Sequence, residues 1–215
     1  MKQFDLTVFE RIPVIGILRH SNSEEIRKAA RAFHAVGFRT LEVTMNSADA
    51  AENISYLSKL YPDMNIGAGT VCTTENLSTA REAGASFIVS PVTDITLIGA
   101  AREAGLAVFP GAFTPTEIYR AWQAGATAIK VFPMSALGPS YLKEVHAPLP
   151  EIKLVAVGGV TLDNINDYFA AGAYGVALGS GLFRKDLMEG DYETLKQYQE
   201  KMYERVMGMH KTTND

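Results

Sequence analysis

The chain has 215 residues, 47% of them hydrophobic and 20% charged. That balance is typical of a soluble globular chain, and the length suits one domain with a sizeable core. The formal net charge of −4, with no basic patch, argues against a nucleic-acid partner. One cysteine, Cys72, excludes an internal disulfide and fits a reducing cytoplasm. No apolar stretch approaches the ~18 residues a membrane span needs, so no membrane partner is expected. Residues 1–11 include Asp5 and Glu10 and lack an apolar signal core.

In chain order, eight short apolar runs occupy residues 13–18, 40–44, 65–69, 86–90, 106–110, 127–133, 153–157 and 174–178. They are bounded by Gly or Pro and rich in Val and Ile, which predicts buried parallel strands. Helical stretches lie between them. Ser21 to Glu24 has the spacing of a capping box. Thr114-Pro115-Thr116-Glu117 combines a Thr cap, Pro at the first helical position and a returning Glu. Gly37, Gly84, Gly105, Gly125 and Gly172 each precede a strand by two or three residues and are placed to close helices in the left-handed conformation. A last helix is expected from Tyr192 to about Met209, with 211–215 fraying. Eight strand–helix units complete one (β/α)8 TIM barrel of the α/β class, read as a single domain over residues 1–215. No Gly-x-Gly-x-x-Gly follows the first strand, which argues against a dinucleotide-binding open sheet.

In such a barrel the chemistry lies at the C-terminal ends of the strands. Lys130 sits inside the apolar run Ala-Ile-Lys-Val-Phe-Pro. Alternation puts Ile129 and Val131 toward the helices, and Ala128, Lys130 and Phe132 toward the barrel interior. Burial depresses a lysine pKa, which supplies the free amine needed to attack a ketone. The plainer reading is a lysine that reaches the rim or pairs with a carboxylate. Glu42, in Leu-Glu-Val-Thr, faces inward by the same alternation, with Thr44. Its carboxylate needs a partner, a proton or a task, and a raised pKa would suit a proton shuttle. The bland alternative is a buried Lys–Glu ion pair.

Gly158-Gly159 and Gly179-Ser180 follow strands seven and eight, where barrel enzymes often hold phosphate with backbone N–H groups; they could also be no more than tight turns. Arg19, ending strand one, and Thr70, after Gly67-Ala68-Gly69, are candidates for a keto-acid carboxylate. Phe132 joins the substrate-binding candidates from the same run as Lys130. His20, beside Arg19, is read as a bystander. No strand end carries a cluster with metal-ligand spacing, so neither a catalytic metal nor a cofactor is expected. Cys72 is read as a small packing residue.

Across nearly its whole length the chain resembles the bacterial class I 2-keto-3-deoxy-6-phosphogluconate and 6-phosphogalactonate aldolases. The resemblance runs through Ile17-Leu18-Arg19, Leu41-Glu42-Val43-Thr44, Gly67-Ala68-Gly69-Thr70-Val71, Val89-Ser90-Pro91, Pro110-Gly111, Thr114-Pro115-Thr116-Glu117, Lys130-Val131-Phe132-Pro133, Gly158-Gly159-Val160 and Gly179-Ser180. It implies a Schiff-base lysine at Lys130, a general acid/base at Glu42 and pyruvate contacts at Thr70 and Pro91. It also implies phosphate loops at Gly158, Gly159, Gly179 and Ser180, a phosphorylated keto acid as substrate, and a homotrimer. Met45-Asn46-Ser47 replaces the Leu-Arg-Thr of the phosphogluconate branch and looks more like the Leu-Asn-Ser of the phosphogalactonate branch. Residues 135–139 lean the same way. With Asn46 in place of arginine, Arg19 becomes the preferred carboxylate clamp. Three alternatives stay open: 4-hydroxy-2-oxoglutarate cleavage, a phosphate-binding barrel isomerase or epimerase acting without a covalent step, and a non-catalytic phospho-sugar sensor.

Overall fold

The computed structural model describes residues 2–19 and 22–212. In chain order the elements are α1 (Leu6–Arg11), β1 (Val14–Leu18), α2 (Ser23–Val36), β2 (Thr40–Thr44), α3 (Ala50–Leu60), β3 (Asn65–Gly69), α4 (Thr74–Glu82), β4 (Phe87–Val89), α5 (Ile95–Glu103) and β5 (Ala107–Phe109). There follow β6 (Gly111–Ala112), α6 (Pro115–Gln123), β7 (Ile129–Val131), α7 (Met134–Leu137), α8 (Pro139–His146), β8 (Leu154–Val157), α9 (Ile165–Ala170), β9 (Gly175–Leu178), α10 (Lys185–Glu189) and α11 (Tyr192–Thr212).

The strands pair in parallel in the order β5-β4-β3-β2-β1-β9-β8-β7-β6. The two outermost, β5 and β6, are consecutive in the chain and separated by Pro110 alone. They are one strand in two pieces: the first pairs with β4 and the second with β7. Pro110 has no N–H to give, yet its carbonyl accepts from Lys130 N at 2.9 Å, and Ala112 O accepts from Phe132 N at 3.1 Å. The ring closes through this split strand, as an eight-stranded (β/α)8 barrel.

Strand alternation sorts the apolar side chains into two cores. Leu41, Val43, Ile129 and Val131 join the larger one, between the strands and the surrounding helices. Ile15, Ile17, Phe87, Val89, Phe109, Ala128, Val155 and Val157 form the smaller one, inside the barrel. The lower mouth is plugged by α1. Asp5 caps it, accepting from Val8 N, and its Phe9 is fully buried. Phe9 and Phe4 meet Phe87, Phe109 and Tyr174 with ring centroids 5.4–6.1 Å apart, in the tilted and edge-on arrangements that aromatic quadrupoles favour.

The local signals behave as the chemistry dictates. Thr114 and Glu117 form the expected capping box with Pro115 in the first turn. The five helix-closing glycines all have positive φ, from 75° at Gly105 to 119° at Gly37. The other capping box lies one residue further on than expected. Asn22 caps α2 and Glu25 returns the bond, because an Asx carboxamide reaches the N3 amide as well as a serine does. His20 and Ser21, and the tail from 213, lie outside the described residues. The last helix runs to Thr212, past the expected end. No described helix is long and apolar enough to cross a membrane.

Candidate active site

The inward-facing side chains change character along the barrel axis. Above the aromatic plug, β2 presents Glu42 and β7 presents Lys130, 1% and 4% exposed. Both line one small void at the axis, of about 10 Å³, with Ile17, Val89, Phe109 and Val157. Glu42 fits there because β3 contributes glycine opposite it. A Cβ on Gly69 would lie 2.4 Å from Glu42 Oε1.

Neither group is neutralised by a close ion pair among the described residues, and Glu42 Oε2 has no hydrogen-bond partner among them. Burial therefore dominates their ionisation. It pushes the Glu42 carboxyl up to about 7, against the opposing pull of Lys130 and Arg19. It also pushes the Lys130 ammonium down, an effect that Glu42 opposes and Arg19 reinforces. The Lys130 Nζ lies 4.9 Å from the centroid of the Phe132 ring, a cation–π distance. An amine and a carboxyl, both displaced toward neutrality and facing one narrow space, can exchange protons with a third molecule placed between them.

A cleft of about 370 Å³ opens next to this pair, walled by the Gly158-Gly159 and Gly179-Ser180-Gly181 turns, Arg19 and Phe132. It shares Ile17, Val157 and Ala177 with the axial void, so the two spaces meet on those apolar walls. Gly158 and Gly159 have φ of +91° and +79°, and a Cβ on Gly159 would press 2.9 Å from Ser135 Cβ. Glycine is required there. At Gly179 it is not, since an added Cβ would meet Ile17 at an ordinary 3.8 Å. The close approach in that turn belongs to Gly181, where a Cβ would stand 2.5 Å from Val160 O.

Of the residues singled out in the sequence, Arg19, Phe132, Gly158, Gly159, Gly179 and Ser180 come together in the cleft, and Lys130 and Glu42 lie at its inner end. Thr70 and Pro91 belong to the other side of the mouth, after β3 and β4, outside the walls of the cleft. Thr70 has φ +56°, uncommon for a β-branched residue and a form of strain found at functional sites. Pro91 packs on the split strand, its carbonyl 2.3 Å from where a Gly111 Cβ would be. Sequence reading missed three features. Ile17 and Val157 are apolar walls of the site, which alternation alone could have placed. Lys185 is a wall residue whose helix is too short to signal itself. No group of three or more His, Cys, Asp or Glu suited to a metal occurs among the described residues, and Cys72 is exposed.

A family model described as KDPG and KHG aldolase matches residues 7–198. The chain belongs to that aldolase family. It is therefore a carbon–carbon lyase. It is 38% identical over 193 residues to a probable 2-dehydro-3-deoxy-6-phosphogalactonate aldolase of Rhizobium meliloti (strain 1021), covering 89% of this chain and 91% of that one. It is 33% identical over 196 residues to a 2-dehydro-3-deoxy-phosphogluconate aldolase of Pseudomonas aeruginosa, covering 90% and 88%. A solved structure described as native KDPGal superposes with a TM-score of 0.88 at 33% identity, covering 98% of this chain and all of that one.

Proposed function

We propose that the protein cleaves a 2-dehydro-3-deoxy-6-phospho-aldonate to pyruvate and glyceraldehyde 3-phosphate, with Lys130 as the covalent catalyst and Glu42 as the proton carrier. The observation that carries this reading is the burial of the two groups around one void at the end of a glycine-lined cleft, with no close ion pair to either among the described residues. The Lys130 amine, held below its usual range by burial, attacks the C2 ketone, and loss of water gives a protonated Schiff base. Glu42, as carboxylate, takes the proton from the C4 hydroxyl. The C3–C4 pair then flows into the iminium, and the aldehyde leaves. The resulting enamine takes a proton at C3 from the carboxylic acid just formed, and water releases pyruvate from Lys130. A carboxyl near pH 7 serves both halves of this cycle.

Arg19 and Thr70 hold the C1 carboxylate, Pro91 and Phe132 bound the pyruvyl end, and the glycine turns with Ser180 take the phosphate. That remote grip contributes orientation at the reacting bond, worth several kcal/mol of barrier. Asn46-Ser47 in place of an arginine segment favours the galactonate configuration. We propose a homotrimer acting in the cytoplasm, on the strength of the family resemblance.

Borohydride reduction in the presence of pyruvate tests the covalent step. A stable adduct is expected on the peptide containing Lys130, and a peptide of unaltered mass would rule the step out. Parallel assays on the two C4 epimers then settle the configuration.

A further inference from the structure

Resting on that aldolase reading, we propose that Lys185 is a specificity-determining residue, which makes the enzyme favour a phosphorylated keto acid over an unphosphorylated one. The cleft has two cations in its wall, Arg19 and Lys185, and neither Asp nor Glu among its described wall residues. In a chain of net charge −4 this is a local positive field, and local fields of one sign in a concave site concentrate the opposite ion. The two cations serve different ends. Arg19 acts electrostatically on both Glu42 and Lys130, so its charge belongs to the reacting end. Lys185 follows the Gly179-Ser180-Gly181 turn and stands at the end built of glycine.

The surroundings of Lys185 fix its backbone and leave its ammonium available. The preceding residue, Arg184, is committed to Asp186 through two bonds of 3.1 and 2.7 Å. At the other end of α10, Lys28 donates to the carbonyls of Met188 and Gly190, at 2.8 Å for the latter. Upstream, Leu182 N and Phe183 N both bond to Gly179 O, at 2.9 and 2.8 Å. Lys185 itself meets Glu189 at 3.7 Å, with side chains 89% and 58% exposed. Such a solvated i,i+4 pair holds its members weakly. A phosphate seated against the glycine turns offers the same ammonium a denser charge and a closer bond. 4-Hydroxy-2-oxoglutarate ends instead in a C5 carboxylate, which carries less charge than a phosphate and stops nearer the reacting bond.

Inorganic phosphate is the direct probe. Titrated into the whole protein and followed by ³¹P NMR, it should bind about threefold to tenfold more weakly to Lys185→Gln than to the wild type, with Lys185→Arg restoring most of the affinity. In kinetics, the ratio of kcat/KM on the phosphorylated keto acid to kcat/KM on 4-hydroxy-2-oxoglutarate should fall by a similar factor in Lys185→Gln, through KM and not kcat. Equal phosphate affinity in the wild type and Lys185→Gln, or equal losses on both substrates, would overturn the proposal. The titration needs no aldol chemistry. If wild-type Lys130 forms no pyruvate adduct, the aldolase reading fails separately, while the titration still judges Lys185 as an anion site.

Discussion

The lower and upper halves of the barrel interior are built from the same strands, and they could hardly differ more. Below, Phe4, Phe9, Phe87, Phe109 and Tyr174 fill the space with interlocked rings. Above, the same cylinder encloses a carboxyl with one oxygen lacking a hydrogen-bond partner among the described residues, a desolvated amine and a wall of glycine. Two residues of chain lead from Ala128, just before β7 and in the packed core, to Lys130 in the site. The contrast teaches that the lower half supplies the cohesion that lets the upper half keep two costly polar groups away from water.

Substitutions at each end should break this division in opposite ways. The largest effect is expected above. Glu42→Gln should still form the pyruvate adduct on Lys130 but turn over about 10²–10⁴-fold more slowly; wild-type rates would remove its role. The same variant carries a pH signature. The Glu42 carboxyl is raised from 4.5 to about 7, chiefly by burial. The folded state therefore holds this proton more tightly than the unfolded chain, and its stabilisation is lost as pH rises from about 4.5 through 7. Glu42→Gln does not lose it, so between pH 5 and pH 8 its stability in urea should gain on the wild type, by up to about 3 kcal/mol. A difference independent of pH would contradict the buried, proton-holding carboxyl.

Below, Phe9→Ala should cost about 3–5 kcal/mol in urea unfolding by opening a cavity under the barrel. At temperatures where it stays folded, kcat/KM should remain near the wild-type value. A selective loss of kcat would show that the two halves are coupled. The smallest effect is expected at the lower rim. The Tyr174 hydroxyl donates to Glu10 Oε1 at 2.6 Å and accepts from Lys153 Nζ at 3.1 Å. Tyr174→Phe should lower stability by about 1 kcal/mol and leave the Schiff-base adduct intact, both measured on the same preparation.

The upper half was the more legible in sequence. Period-two alternation in two short runs was enough to turn Glu42 and Lys130 inward and Leu41, Val43, Ile129 and Val131 outward. The glycine closers, the strand limits to within a few residues and the Thr114 cap followed from local rules as well. What stayed hidden depends on segments distant in the chain. The role of Phe9 as a plug is decided by rings on β4, on β5 and just before β9, although Asp5 ahead of Leu6, Val8 and Phe9 was an available helix signal. The two-piece fifth strand needs knowledge of which neighbour takes each half. The unusual φ of Thr70 and the wall position of Lys185 have no local sequence pattern to announce them.

Gly69 ties the acid to its place. The Glu42 carboxylate occupies the volume that a side chain at position 69 would claim. Even a methyl group there would have to push the carboxylate aside, so the bare backbone of β3 sets where the proton carrier rests.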